Sequence, residues 1–304
     1  MAANLYKNQS ENITKTWLLM SVFFVLIIFL GWFASYYFND PIILYFAVFF
    51  SIAMNIFSYW NSASLVLKIS GAKLASKEKY YDLYTLTENL SITAGLPMPK
   101  LYVIEDSVPN AFATGRDKKH AVVAVTTGLL QILEKNELEG VIAHELAHIG
   151  NRDILLQTVV VVLVGLVTML ADIFFRMTFF GGRDKDSGKA GGILLIIGIV
   201  LMVLSPIIAT IIKLMISRKR EFLADSTGAL LTRYPEGLAS ALEKISGFSR
   251  GKKMKKANHA TAHMFFTSPF GEHGKKKVSF INKLFATHPP VEQRIAKLRG
   301  LELQ

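Results

Sequence analysis

Polar side chains are almost absent from four stretches of the chain. Residues 17–38 and 42–67 hold no charge at all, and residues 154–171 and 191–212 are nearly as apolar. A helix of about 20 apolar residues crosses a hydrocarbon core of roughly 30 Å, so each stretch meets or approaches the length of a span. Only Asn39-Asp40-Pro41 separates the first two. This predicts an N-terminal transmembrane hairpin over residues 1–67. A cleaved signal is disfavoured, because its apolar core is usually about 7–15 residues and is not followed at once by a second run. The last two stretches predict a second hairpin over 154–216. A pair of buried core helices is the alternative, since long apolar runs also occur inside large domains.

The remaining residues, 68–153 and 217–304, lie on one side of the membrane if the second hairpin crosses twice or not at all. They can therefore form one domain. Its pattern predicts a helix over 76–94, stopped by Gly95 with Pro97 beyond. Strands are predicted at 101–104, 110–114 and 120–126. Asn136-Glu137-Leu138-Glu139 reads as a capped helix start, and that helix runs to Gly150-Asn151. Further helices are expected over 218–231, 236–247 and 290–299, with a kink at Pro206 in the fourth apolar stretch. Residues 249–277, rich in Lys, Gly and His, predict a long mobile loop. The fold class is thus mainly α with a small β-sheet: a four-helix membrane region plus a polar domain.

Charge orients this arrangement. Lys7 and Lys15 precede the first span, and Lys68, Lys73, Lys77 and Lys79 follow the second. Both flanks read as cytoplasmic. Arg218, Lys219 and Arg220 agree, whereas Arg176, Arg183, Lys185 and Lys189 between the last two stretches do not. The net charge of +11 over 304 residues sits largely beside apolar segments. Attraction to anionic lipid explains it without a nucleic-acid partner, for which no motif is present. The chain has no Cys, which excludes disulfides and thiolate metal sites.

The chemistry concentrates in His144-Glu145-Leu146-Ala147-His148. Two histidines four apart share a helix face and can reach one ion. Glu145 is rotated about 100° from His144, beside the ion but not on it. It is placed to take a proton from a water whose pKa zinc lowers towards about 7. A catalytic zinc needs a third protein ligand. Glu221 and Asp225, four apart in Arg220-Glu221-Phe222-Leu223-Ala224-Asp225, are the candidates. Either could bind while the other receives a hydrogen bond from a zinc-bound histidine. Asn110 to Thr114 is a candidate edge strand for pairing with a substrate backbone. His288 and Arg294 could approach the site to stabilise an oxyanion, although His288 could equally be a helix-start residue before Pro289-Pro290.

His144-Glu145-Leu146-Ala147-His148 with Glu221 and Asp225 is similar to the gluzincin pattern. Together with Asn110-Ala111-Phe112, Asn151-Arg152-Asp153, His288-Pro289-Pro290 and the four apolar runs, the chain resembles the integral-membrane members of the M48 peptidase family. The resemblance implies one zinc ion on His144, His148 and Glu221, with Glu145 as catalytic base and Asp225 holding His144. It also implies a multi-pass enzyme of the cell inner membrane, its site facing the cytoplasm, that hydrolyses damaged or misfolded membrane proteins or unfolded polypeptides. Two alternatives remain at this point: a prenyl-protein protease, and a non-catalytic membrane adaptor with a structural zinc. The number of copies that assemble is left open.

Overall fold

The computed structural model describes residues 2–163, 218–257, 261, 264–267, 269 and 289–301. Helix α1 (Ala2–Phe38) and helix α2 (Ile42–Ser70) form the N-terminal hairpin. Asn39 turns the corner at φ 51°, a left-handed conformation that Asn tolerates. The Asp40 carboxylate then accepts the Ile42 N–H at 2.9 Å. Within the pair, Ser10–Tyr36 and Ile42–Ser70 are long and apolar enough to cross a membrane. Trp17, Val25, Phe29, Tyr45, Phe49 and Trp60 are exposed along them, as residues facing lipid would be. Gly71, at φ 70°, ends α2 by returning its N–H to the carbonyls of Leu67 and Lys68.

The polar domain is built on a four-stranded sheet of order β1-β2-β4-β3. The strands are β1 (Lys73–Leu74), β2 (Lys100–Ile104), β3 (Ala111–Thr114) and β4 (Val122–Thr126). β2 and β4 pair in parallel, and β1 and β3 pair antiparallel to them on the outside. Side chains alternate between two cores. Leu101, Val103, Val123 and Val125 join one, with α3 (Tyr81–Ala94) and the helices that carry the site. Ile104, Phe112, Val122 and Ala124 join the other, with Leu19, Met20 and Phe23 of α1 and Val66 of α2. Both faces are covered, which is why β4 is apolar throughout.

Helix α4 (Thr127–Ile132) leads to α5 (Lys135–Gly150). α5 opens on a capping box between Glu134 and Glu137, two residues earlier than the Asn136 start that spacing predicts. Glu137 also accepts from Ser240 at 2.6 Å and lies 2.8 Å from Lys244, so the same residue ties the helix start to α8 (Pro235–Ser249). Arg152, at φ 59°, then makes a sharp corner. The next helix, α6 (Asp153–Leu163), leaves at 83° to α5. Its Ile154, Leu156 and Val159 to Val162 are buried. The described part of the third apolar stretch is therefore covered by protein, unlike α1 and α2. The rest of that stretch, all of the fourth, and the kink expected at Pro206 lie outside the described residues.

Helices α7 (Arg218–Thr232) and α9 (Val291–Arg299) complete the described part of the domain. α5 packs against α7 and α8 at close range. A Cβ on Gly140 would come within 2.7 Å of the Leu238 backbone, and one on Gly228 within 3.0 Å of the His144 nitrogen. Gly228 thus sets how near α7 can come to the first histidine.

Two expectations change. The helix expected to begin at residue 76 begins at Tyr81, because Ser76 to Tyr80 form a turn in which the Tyr80 N–H donates to the Ser76 carbonyl. The stretch expected as a mobile loop is partly core: Met254, Thr261 and Met264 to Phe266 are buried. The apolar triplet Met264-Phe265-Phe266 supplies surface that its Lys-rich surroundings concealed.

Candidate active site

α5 is buried on every side from Val141 to Ile149, so its two imidazoles face protein and not solvent. One turn apart, His144 and His148 stand with ring centroids 4.7 Å apart and planes at 88°. Their Nε2 atoms approach to 3.1 Å. Glu221 reaches the same point from α7, with carboxylate oxygens 3.9 Å from His144 Nε2 and 3.6 Å from His148 Nε2. Among the described residues, His144, His148 and Glu221 are the group whose donor atoms converge closely enough for one metal ion.

Each imidazole is backed by an aspartate. His144 Nδ1 lies 3.0 Å from Asp225 Oδ1, and His148 Nδ1 lies 2.9 Å from Asp153 Oδ2. With Nδ1 of each ring beside an aspartate, Nε2 of each is left on the side where the two histidines and Glu221 converge. The Nε2 atoms stand 3.1 Å apart, and Glu221 presents Oε1 to His148 at 3.6 Å and Oε2 to His144 at 3.9 Å, near the spacing of about 3.3 Å between ligands on a tetrahedron with bonds of 2.0–2.1 Å. Donor chemistry and spacing both fit a small divalent ion.

The two aspartates are held differently. Asp225 takes a two-pronged bond from Arg294 of α9, at 2.8 Å from Nε and 2.6 Å from Nη2. Asp153 is approached by Arg220 Nε at 3.1 Å and accepts from the Asn12 amide at 2.7 Å. Asn12 belongs to α1 and also donates to the Asn151 carbonyl at 3.0 Å. The N-terminal hairpin therefore touches the residue that orients His148.

Burial and charge divide the titrations. Burial pushes His144 down to about 4; Asp225 opposes this, while the charges of His148 and Arg294 add to it. Burial also disfavours charge on His148, but Asp153, Glu221 and Glu145 outweigh it and raise that group to about 9. Without metal His148 therefore takes up a second ring proton more readily than His144 does. Glu145 is raised to about 7 by burial, with Glu221 adding and His148, Arg294 and the Ala113 backbone opposing. Asp225 is buried too, yet Arg294 and His144 hold it down to about 2.

Of the other residues singled out in the sequence, Arg294 is fully buried, with Nη1 3.9 Å from Glu221. Asn110 stands at the head of β3, the outer strand beside Glu145. His288 lies outside the described residues. Sequence reasoning did not single out a role for Asp153, Arg220, Asn12 or Phe266. Asp153 follows His148 by five positions and could have been tested as its partner. Asn12 lies 141 residues from Asp153 and gives no local signal.

Residues 77–302 match the peptidase family M48. The chain belongs to that family. Its relatives include a protease HtpX homolog of Caldanaerobacter subterraneus subsp. tengcongensis, 46% identical over 98% of both chains. Another, from Pyrococcus furiosus, is 47% identical over 83% of this chain and 84% of its own. Among solved structures, the crystal structure of S. mikatae Ste24p aligns with a TM-score of 0.50 at 18% identity, covering 96% of this chain and 67% of that one; the likeness is one of fold. With family membership, the His144, His148 and Glu221 cluster and two helices able to cross a membrane, the chain is a membrane metallopeptidase.

Proposed function

We propose that the chain is a zinc endopeptidase of the cell inner membrane whose site faces the cytoplasm. In this reading residues 1–67 anchor it, 68–153 and 217–304 form the protease domain, and 154–216 form a second hairpin between the zinc-binding helices. Its substrates are unfolded polypeptides and damaged or misfolded membrane proteins. The observation that carries the reading is the convergence of two aspartate-backed imidazoles on Glu221, with their Nε2 atoms 3.1 Å apart. His144, His148 and Glu221 would hold the ion. A zinc ion bound there supplies Lewis acidity and makes water a usable nucleophile near neutral pH.

The chain's own residues do the rest. Glu145 takes the proton from the attacking water and hands it to the leaving nitrogen. Burial raises that carboxyl above its ordinary range, which helps it keep the proton between the two halves of the transfer, while a bound cation would pull the other way. Asp225 and Asp153 fix the tautomers that turn each Nε2 inward. Arg294 brings a buried cation within 3.9 Å of Glu221, and its Nη1, the nitrogen left over from the pair with Asp225, can hold a substrate carbonyl. β3, at the sheet edge, offers outward backbone groups for an extended substrate.

The test is the full chain in detergent, with and without chelator, assayed for zinc content and for cleavage of casein, a misfolded membrane protein and a prenylated peptide. One zinc per chain is expected, with cleavage of the first two lost on chelation. Glu145→Gln should keep the zinc and lose about 10²–10⁴-fold in rate. Normal turnover by that variant would refute the role given to Glu145, and preference for the prenylated peptide would refute the substrate class.

A further inference from the structure

β3 is the outer strand of the sheet, so half of its backbone groups have no partner in β4. The Thr126 N–H donates to the Asn110 carbonyl at 2.9 Å. That bond fixes Asn110, Phe112 and Thr114 as the residues bonded to β4, and turns the N–H and C=O groups of Ala111 and Ala113 outward. A segment of the same chain occupies part of this row. The Phe266 N–H donates to the Ala111 carbonyl at 2.8 Å. The Asn110 amide then brackets Thr267, accepting its N–H at 3.1 Å and donating to its carbonyl at 2.9 Å. Phe266 is held at Ala111 by this one backbone bond and Thr267 at Asn110 by the side-chain amide, while the Ala111 N–H goes to the Asn110 Oδ1 at 3.1 Å, so the segment passes the strand in the opposite direction without forming a full ladder.

This direction places the peptide bond before Phe266 on the side of Ala113, whose backbone bonds to Glu145. The Phe266 carbonyl accepts from Arg294 Nη1 at 3.3 Å, the same nitrogen that lies 3.9 Å from Glu221. The Phe266 ring sits edge-on to His144 at 5.1 Å, under the Arg294 guanidinium at 4.8 Å. Towards the N-terminus the chain does not continue along β3. The Met264 N–H turns back to the Thr261 carbonyl at 3.0 Å, and Phe265 packs on Phe112 in the opposite core.

We infer that Phe266 and Thr267 occupy the two substrate positions that follow the cleaved bond, as an internal mimic of an extended polypeptide carrying a large apolar residue immediately after that bond. The inference rests on the endopeptidase reading. The hydrogen bonds to Ala111, Asn110 and Arg294 are made by the segment's backbone, and any sequence could reproduce them. The ring slot beside His144 instead selects the side chain. An incoming substrate gains this slot by displacing Phe266, so the segment competes with substrate for binding.

The test uses the zinc-loaded full chain in detergent with four quenched peptides. They carry Phe, Leu, Gly or Asp at one position, and the cut is located by mass spectrometry. Cleavage just before Phe or Leu is expected, with kcat/KM about tenfold or more above the Gly and Asp peptides. Rates within twofold across the series, or a cut elsewhere, would overturn the inference. Phe266→Ser should lower KM for the Phe peptide severalfold. An unchanged or higher KM, in a variant with normal zinc content and melting point, would overturn it as well. If that variant does not fold, the peptide series on the unaltered chain decides alone. A zinc-loaded chain that cuts neither the peptides nor casein would overturn the endopeptidase reading, and this inference with it.

Discussion

His144 and His148 are one helical turn apart, yet they are held by different parts of the molecule. The His144 arm runs through Asp225 to Arg294, inside the polar domain. The His148 arm runs to Asp153 and branches there to Arg220 and to Asn12 of the N-terminal hairpin. In the first arm one carboxylate meets one fully buried guanidinium in a two-pronged bond. In the second, one carboxylate is shared among a histidine, an arginine and an amide. The first is a closed pair whose charges cancel. Burial lowers His144 to about 4, with Asp225 opposing it and the charges of His148 and Arg294 adding, whereas Asp153, Glu221 and Glu145 outweigh burial at His148 and raise it to about 9. The two imidazoles proposed to hold the ion are thus prepared differently: His144 favours its neutral form, and His148 would release a proton when metal binds.

The sharpest way to break this comparison is to open the closed pair. Asp225→Ala leaves Arg294 buried without its partner, and such a loss costs about 3–5 kcal/mol. A large drop in melting point in detergent is expected, and Arg294→Met in the same chain should recover part of it. If Asp225→Ala melts like the unaltered protein, the arm is not a closed pair. Asp153→Asn should act differently. Its main effect is on the metal, with affinity falling about 10–100-fold in competition with a chromophoric chelator. Its melting point should fall less than that of Asp225→Ala, because Arg220 sits nearer the surface than Arg294. Equal melting losses in the two variants would erase the distinction.

The contrast also has a sign in pH. In metal-free protein His144 is lowered from 6.5 to about 4 and Asp225 from 3.8 to about 2. Both contributions are present above the ordinary pKa and are lost as pH falls, first between 6.5 and 4 and then between 3.8 and 2. His148 is raised from 6.5 to about 9, so its contribution is present below 6.5 and lost as pH rises through 9. The chelated protein should therefore lose stability at both ends. Asp153→Asn should flatten the alkaline side and leave the acid side as it was. An alkaline decline of the same size in that variant would detach it from His148.

How far this was legible in the sequence follows the same division. His144, Glu145 and His148 form a local pattern on one helix, and the apolar runs of the hairpin are local too. Glu221 and Asp225 were found as a pair with helical spacing, but spacing alone did not say which would face the metal. The answer depends on how close α7 lies to α5, which the small Gly228 permits. Asp153 was visible as a motif residue without a role, because the left-handed corner at Arg152 that turns it back to His148 is not written in periodicity. Phe266 lay in a stretch whose lysines outweighed its short apolar triplet. Asn12 was out of reach, since only the packed hairpin brings it to Asp153.

Asn12 therefore supplies the smallest and most informative test. Its amide gives Asp153 one hydrogen bond of 2.7 Å and the Asn151 carbonyl another of 3.0 Å. Hydrogen bonds to a charged partner contribute about 1.5–3 kcal/mol and neutral ones about 1 kcal/mol, but Asp153 keeps Arg220 and His148 when Asn12 is removed. Asn12→Ala should thus lower metal affinity by only about two- to fivefold, well short of the 10–100-fold expected for loss of the aspartate itself. A measurable drop would show that packing of the membrane hairpin reaches the second histidine, and that Asp153 is oriented from both sides. A drop as large as that of Asp153→Asn would make Asn12 an equal partner in orienting His148. No change in affinity, with the fold intact, would reduce the contact to an anchor between membrane and domain, and the His148 arm would then end at Arg220, as self-contained as the His144 arm.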